Sequence, residues 1–347
     1  MLKTLHLQNF RNHLDLRLDF SPLTIITGRN GAGKSNIIEA IAMLSFCRSY
    51  REEKKQNLIN YHQNFARLTG DDLDLVLCRE PQFIMKVRVK GVPRRTTGLV
   101  GILRAVIFSP ETMAIITGSP GDRRRFFDIL ISQTDYEYLR TLVDYTKIRR
   151  QRNRLLRLIK QKSAAVSELN YWDGELIRLG VFIGQRRQSA VDNLNLFISD
   201  HYAVIANSDN VMLKLNYDRR SNDLVRDLPL SRGRDIADER TNLGPHTDNL
   251  IFLLDNRDMA NFASRGEIKS AILALKVAEL KFLEGVSRGG GEGAEPLLLL
   301  DDVFSEFDAQ RREHLLSLIS DHQTIITAAD RGLLPEKILK KAKIIEL

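Results

Sequence analysis

The chain has 347 residues, a formal net charge of +8 and a pI near 9.4. That length exceeds what one hydrophobic core usually serves, so a large domain with a second lobe is expected, and the basic balance favours an anionic partner, nucleic acid ahead of a membrane surface. No apolar run approaches the roughly 18 residues of a membrane span, the opening MLKTLHLQNFRNH lacks an apolar signal core, and Cys47 and Cys78 stand alone without CxxC spacing. A cytoplasmic protein is expected, with two buried thiols in place of a disulfide framework or a zinc knuckle.

Alternation of apolar and polar residues in LKTLHLQ and LDLRLDF predicts two early strands, and the β-branched run LTIIT, residues 23–27, predicts a third. GRNGAGKS follows at residues 28–35 and fits the pattern Gly, four residues, Gly, Lys, Ser or Thr. Beyond it Ile37, Ile38, Ala40, Ile41 and Leu44 recur at helical spacing, so strand, loop and helix stand in the order that phosphate binding requires. Gly28, Gly31 and Gly33 let backbone N–H groups turn inward. Arg29, Asn30, Ala32 and Asn36 complete the cradle at a helix N-terminus whose dipole favours anions. Lys34 is expected to reach the β- and γ-phosphates of a nucleoside triphosphate, and Ser35 to put its hydroxyl on Mg²⁺. The competing reading is a chance glycine-rich turn. LDLVL at residues 73–77 and FIMKVRVKG at 83–91 add strands, with Arg94 and Arg95 on a hairpin loop, and complete a β-rich first lobe.

From Gly118 the texture becomes helical. GSPGDRRRFFDIL caps one helix, and residues 136–162 and 169–202 read as two long helices split by the polar turn KSAAVSE, a short antiparallel arm. Leu139, Leu142, Val143, Leu155, Leu156, Leu158 and Ile159 form its packed stripe, too brief for an extended coiled coil. KIRRQRNRLLRLIKQK, residues 147–162, carries eight basic residues and no acidic one. Arg149, Arg150, Arg152, Arg154 and Arg157 are therefore candidates for contact with a duplex phosphate backbone, the alternative being a solvated helix face. Residues 218–241 read as loop-rich, and SRGGGEGAEP, residues 287–296, as a glycine-rich connector.

In SRGEIKSAILALKVAELKFL, Ser264 and Gly266 stand where an N-cap and a close backbone approach to phosphate are expected, and Ala271, Ile272, Leu275, Ala278 and Phe282 form the buried face of the helix that follows. Pro296 then leads into LLLLDDVFSEFD, in which residues 297–300 predict a strand buried on both faces that ends in Asp301 and Asp302. Ligands of a parallel α/β sheet bind at that edge, so Asp301 is placed to share Mg²⁺ with Ser35, and Asp302 to orient or deprotonate an attacking water. A helix N-cap is the plainer alternative for the same carboxylates.

The order of these motifs is similar to that of ABC-type ATPases. More specifically, NFRN, GRNGAGKSNIIEAI, FSPE, GSPGDRRRFFD, GPHTDNL and LLLLDDVFSEFD, in that order and over nearly the whole chain, resemble the RecF family of bacterial DNA replication and repair ATPases, relatives of SMC heads. The resemblance implies an α/β fold. It would comprise an ABC/SMC-like ATPase head with mixed β-sheets around the phosphate-loop core, residues 1–109 with 245–347, and a mainly helical second lobe with a short antiparallel arm, residues 110–244. It implies ATP and Mg²⁺ as cofactors, Lys34 and Asp302 as catalytic groups, Ser35 and Asp301 as metal ligands, and Thr327 and Asp330 in the switch after the last core strands. Ser264, Gly266 and Lys269 would form a signature contacting nucleotide on an opposite subunit, although ASRGEIKS departs from the family in lacking its signature Gln residues. Slow, DNA-stimulated hydrolysis, an ATP-dependent homodimer on double-stranded, gapped or junction DNA, and RecO and RecR as partners follow from the same resemblance. An ABC transporter motor and a nonhydrolysing ATP-gated DNA clamp are the alternatives; a zinc-hook tether would need a long coiled coil and a CxxC that the sequence lacks.

Overall fold

The computed structural model describes residues 1–52, 54–208, 211–287, 295–319 and 321–347. The chain divides into two units, Met1–Met113 with Asp200–Asn210 and Ser264–Leu347, and Ala114–Ser199 with Val211–Ala263. The first unit opens with β1 (Thr4–Phe10), β2 (His13–Asp19), β3 (Leu23–Thr27), β4 (Phe65–Gly70), β5 (Leu73–Cys78), β6 (Ile84–Val89), β7 (Val92–Arg94) and β8 (Ala105–Phe108). The second supplies β9 (Leu213–Asp218), β10 (Asn249–Leu254) and β11 (Arg257–Asp258), after which β12 (Leu297–Asp301), β13 (Thr324–Ala328) and β14 (Lys343–Glu346) return to the first.

Two sequence patterns give two sheets in the first unit. Where apolar and polar residues alternate, an antiparallel sheet forms in the order β2-β1-β4-β5-β6-β7. Strand β1 buries Leu5, Leu7 and Phe10 and leaves Thr4, His6 and Gln8 at least partly exposed. Where apolar residues run unbroken, a parallel sheet forms in the order β14-β3-β13-β12-β8. Ile25, Ile26, Leu298, Leu299, Leu300, Ile325 and Ile326 are fully buried there, each contributing about 2 kcal/mol by leaving water. Helix α1 (Lys34–Phe46) starts at the carboxyl end of β3 and buries all the residues expected to line its face. Between β6 and β7 the chain turns on Lys90 and Gly91, both at positive φ, so the hairpin turn lies before Arg94, which ends β7, and Arg95. Cys47 is buried and burial pushes its thiol up to about 12, whereas Cys78, at the end of β5, is only half-buried.

In the second unit a short α2 (Ala114–Thr117) precedes α3 (Pro120–Ser132), which is capped as GSPGD suggests. The Ser119 hydroxyl accepts from the Asp122 N–H at 3.3 Å, and the Asp122 carboxylate accepts from the Ser119 N–H at 2.8 Å. Helices α4 (Tyr136–Lys160) and α5 (Leu169–Asn195) are the expected pair, joined by a short turn and sharing an apolar cluster of Leu155, Leu156, Ile159 and Leu169. Val143 and Leu158 of the predicted stripe are exposed instead. The second helix ends early, at Asn195, and α6 (Ile198–Ala206) follows as a separate helix that from Asp200 onward lies in the first unit, not in the helical lobe expected over residues 110–244.

Residues 218–241 contain α7 (Leu224–Leu230) and α8 (Arg232–Asp238), not loop alone; each is seven residues long, too short for a periodic signal, and α7 is capped by Asp223. Residues 245–263, expected with the head, lie in the second unit because β10 pairs with β9 and β11 with β10. That stretch ends with α9 (Met259–Phe262), and α10 (Arg265–Ser287), α11 (Ala309–Ile319) and α12 (Glu336–Leu339) complete the first unit. The glycine-rich connector expected at residues 287–296 falls mainly on residues 288–294, outside the described residues. Among the described residues no helix is long and apolar enough to cross a membrane.

Candidate nucleotide site

Residues 28–33 join β3 to α1, with Gly31 and Gly33 at φ +86° and +102°. Gly33 is doubly constrained, since a Cβ there would sit 2.5 Å from Asn12 Oδ1 and from His13 Nε2. Lys34 is buried and donates from Nζ to the carbonyls of Gly28 at 2.7 Å and Arg29 at 3.0 Å. Its ammonium thus lies across the loop's own backbone, at the place where a phosphate-binding loop presents its lysine.

Because β13 lies between β3 and β12, the carboxyl ends of three adjacent strands converge. Ser35, the second residue of α1, donates from Oγ to Asp301 Oδ1 at 2.8 Å across 266 residues of sequence. Thr327, near the end of β13, donates to the same oxygen at 2.7 Å, and Tyr50 Oη donates to Asp301 Oδ2 at 2.8 Å. Asp301 is thereby buried with three hydroxyl donors. Asp302 follows at φ +53°, its N–H 3.0 Å from Thr327 Oγ1, and none of the described hydrogen bonds runs to its carboxylate. Asp330, by contrast, is occupied as a local cap, accepting from the Gly332 N–H at 2.8 Å. No group of three His, Cys, Asp or Glu side chains gathers among the described residues, so a cation here would have Ser35 and Asp301 plus ligand oxygens, a hard oxygen set that fits Mg²⁺.

Several residues that hold the loop carry no sequence signal of their own. At the β1–β2 turn Asn12 donates to the Ala32 carbonyl at 3.1 Å and accepts from Asn36 at 2.8 Å, while His13 Nε2 lies 3.1 Å from the Gly33 carbonyl. Burial holds His13 below the usual imidazole range, so the neutral ring donates Nε2–H. Arg11 forks onto the buried Glu39 of α1 with two hydrogen bonds of 2.8 Å, which ties that turn to the helix. NFRN was legible only as a family motif; its bonding to the loop is a product of the fold. A cavity of about 890 Å³ opens beside Asn36, bounded by Arg11, Asn12, Arg51, Tyr61 and Glu111 among others, a volume suited to a small-molecule ligand.

The signature residues take ordinary local roles in this chain. Ser264 caps α10 reciprocally with Glu267, Gly266 accepts from Arg311 Nη2 at 3.1 Å, and Lys269 pairs with Glu306 at 3.2 Å. None of the described hydrogen bonds joins them to the glycine loop. The basic candidates on α4 separate sharply. Arg152 is fully buried between Asp173 and Asp235, both at 2.7 Å, and is withdrawn as a phosphate contact. Arg157 faces Glu239 at 3.8 Å and Arg149 is half-buried, which leaves Arg150 and Arg154 exposed and without an ion pair among the described residues. Arg123 and Arg124 are braces inside the second unit, donating to the Asn249 side chain at 3.1 Å and to the Asp248 carbonyl at 2.7 Å. The GPHTDNL motif does similar work. His246, which burial pushes down to about 4, bonds Tyr145 at 2.7 Å, and Asp248 accepts from Tyr217 at 2.6 Å.

A parallel sheet that carries a phosphate loop after one strand and a carboxylate pair after the next strand but one, beside an antiparallel sheet, defines a P-loop ATPase head of the ABC and SMC kind. An SMC head domain from Pyrococcus furiosus shares this fold with a TM-score of 0.54 at 17% identity, covering 99% of this chain and 92% of that one. The family model described as RecF/RecN/SMC N terminal domain matches residues 1–342, and the chain belongs to that family. It is 35% identical over 336 residues to the DNA replication and repair protein RecF of Lachnoclostridium phytofermentans, covering 94% of this chain and 92% of the relative. The RecF of Moorella thermoacetica is 33% identical over 355 residues, covering 100% and 94%. A solved structure of the recombination mediator protein RecF with ATP, in the RecFOR pathway, superposes with a TM-score of 0.87 at 29% identity, over 96% of this chain and 93% of that one.

Proposed function

We propose that this ATPase is a nucleotide-operated DNA-binding switch of recombinational repair and replication-fork maintenance. In this reading ATP closes two heads on double-stranded or gapped DNA and hydrolysis opens them. The observation that carries it is the hydrogen bond between Ser35 and Asp301, which joins the phosphate loop to the acidic strand as one oxygen-lined site. Relatives named for DNA replication and repair and for the RecFOR pathway support the DNA assignment and, through the pathway's name, RecO and RecR as partners; recombinase loading and a cytoplasmic location belong to the same reading.

Ser35 and Asp301 would hold Mg²⁺, which when bound neutralises phosphate charge. Residues 28–36 would bind the triphosphate through backbone N–H groups, and Lys34 would leave the Gly28 and Arg29 carbonyls for its β- and γ-oxygens. Asp302 would take the proton of the attacking water. Ser264, Gly266 and Lys269 would face the nucleotide of a second head.

Light scattering with no nucleotide, with ADP and with ATP, each with and without gapped duplex, tests the switch. A dimer with ATP alone among the nucleotide states is expected, strengthened by DNA, and a monomer throughout would refute head pairing. A dimer whose ATP is never turned over would favour the nonhydrolysing clamp. Arg150→Glu with Arg154→Glu should weaken duplex binding and, because two phosphates would no longer be neutralised, reduce the salt slope by about 1.8. A slope equal to the wild type's would leave this face of α4 merely solvated.

A further inference from the structure

We infer that Tyr50 is a positioning residue of the nucleotide site: its hydroxyl, by holding Asp301 Oδ2, fixes the carboxylate so that Oδ1 stays turned toward Ser35 for the metal. The inference rests on the reading of Ser35 and Asp301 as the magnesium pair.

The geometry begins at the end of α1. Cys47 adopts φ +54° with its N–H bonded to the Met43 carbonyl at 3.0 Å, a left-handed cap that turns the chain back along the helix it has just left. Ser49 then hooks onto Glu39, and its Oγ accepts from the N–H groups of Arg51 at 3.0 Å and Glu52 at 2.8 Å. Arg51 is tied on the other side, to Glu111 at 3.5 Å and to Asn36 at 3.3 Å. Tyr50 therefore projects from a segment pinned at both flanking residues, and its Oη reaches Asp301 Oδ2 at 2.8 Å.

The division of donors gives the contact its meaning. Ser35 and Thr327 both use Oδ1, at 2.8 Å and 2.7 Å, and among the described hydrogen bonds Tyr50 alone uses Oδ2. With Oδ2 tethered the carboxylate cannot rotate about its last side-chain bond, and Oδ1 remains beside the Ser35 hydroxyl. A phenol hydroxyl 2.8 Å from a carboxylate oxygen is its donor, so Tyr50 holds Oδ2 through its O–H. Hydrogen bonds to a ligating carboxylate orient it, and their removal costs metal affinity about 10-fold to 100-fold.

The test follows binding of a fluorescent, nonhydrolysable ATP analogue, mant-AMP-PNP, to the full chain in EDTA and across a magnesium chloride titration. Tyr50→Phe keeps the ring and removes the hydroxyl. It should leave the affinity in EDTA within about twofold of wild type and raise the magnesium concentration at half-saturation about tenfold. Tyr50→Leu should show the same shift, because the hydroxyl and not the ring is responsible. A Phe variant with the wild-type half-saturation or a lower one would overturn the inference, whatever Tyr50→Leu does, and so would a variant that loses affinity equally with and without magnesium. If wild-type binding itself does not respond to magnesium, while the analogue still binds, the assignment of Ser35 and Asp301 falls first and the inference with it.

Discussion

Asp302→Asn is expected to bind ATP as the wild type does and to hydrolyse it at least about a hundredfold more slowly, the scale of a lost general base. The substitution isolates chemistry from folding for a structural reason. Asp302 sits at φ +53°, a left-handed conformation that Asn adopts as readily as Asp, and its backbone N–H, not its side chain, makes the contact with Thr327. The carboxamide keeps the shape and cannot take the proton. Phosphate release under single-turnover conditions, alongside nucleotide affinity, separates the two effects; equal hydrolysis rates in the two proteins would reject the base assignment. Slow hydrolysis should also prolong the ATP-bound dimer in light scattering, whereas Asp301→Asn should lose the response to magnesium before anything else.

The largest effect on stability is expected at Arg152. Its guanidinium has no accessible surface and donates to Asp173 at 2.7 Å, Asp235 at 2.7 Å and Thr241 at 2.9 Å, joining α4, α5 and α8. Arg232 also donates to Asp173, and the Asn242 N–H to Asp235, so the carboxylates are fixed by the surrounding network. Arg152→Ala would leave the buried Asp235 without a counter-charge, at about 3–5 kcal/mol, while Asp173 keeps Arg232. Thermal unfolding should shift down by roughly 10 °C for a unit of this size. Lysine should not rescue it, because one ammonium on a flexible stem lacks the planar fork that spans both partners. Arg154→Ala on the exposed face should change stability by less than about 0.5 kcal/mol. Near-equal melting of Arg152→Ala and Arg154→Ala would show that the buried network does not hold the helices together.

This contrast between two arginines of one basic run explains what was legible beforehand. In KIRRQRNRLLRLIKQK every arginine looks alike, because the carboxylates that claim Arg152 lie 21 and 83 residues further along the chain. Position 152 shares the buried side of α4 with Leu155, Leu156 and Ile159, but a charge there reads as exposed until its partners are known. GRNGAGKS and LLLLDD were readable because their requirements are local, namely glycine conformations, an unbroken apolar strand and a helix start. Tyr50 and Asn12 carried no such local demand; their roles exist only once the β1–β2 turn and the segment after α1 fold onto the loop. The domain limits were misplaced near residue 245 for a related reason. Strand β10 is an ordinary apolar run, and its partner β9 could not be found by counting residues.

The strand order has a consequence for how the molecule is made. β3, which carries the phosphate loop, is hydrogen-bonded on one side to β13 and on the other to β14. Both neighbours leave the ribosome some three hundred residues after β3 does. When the last residue of the second unit, Ala263, has been synthesised, β12, β13 and β14 have yet to be made, so β3 still lacks both strand neighbours and the loop both carboxylates. A chain released before Asp301 lacks the acidic strand end that the proposed function pairs with Ser35, so on that reading a prematurely stopped product would not turn over ATP.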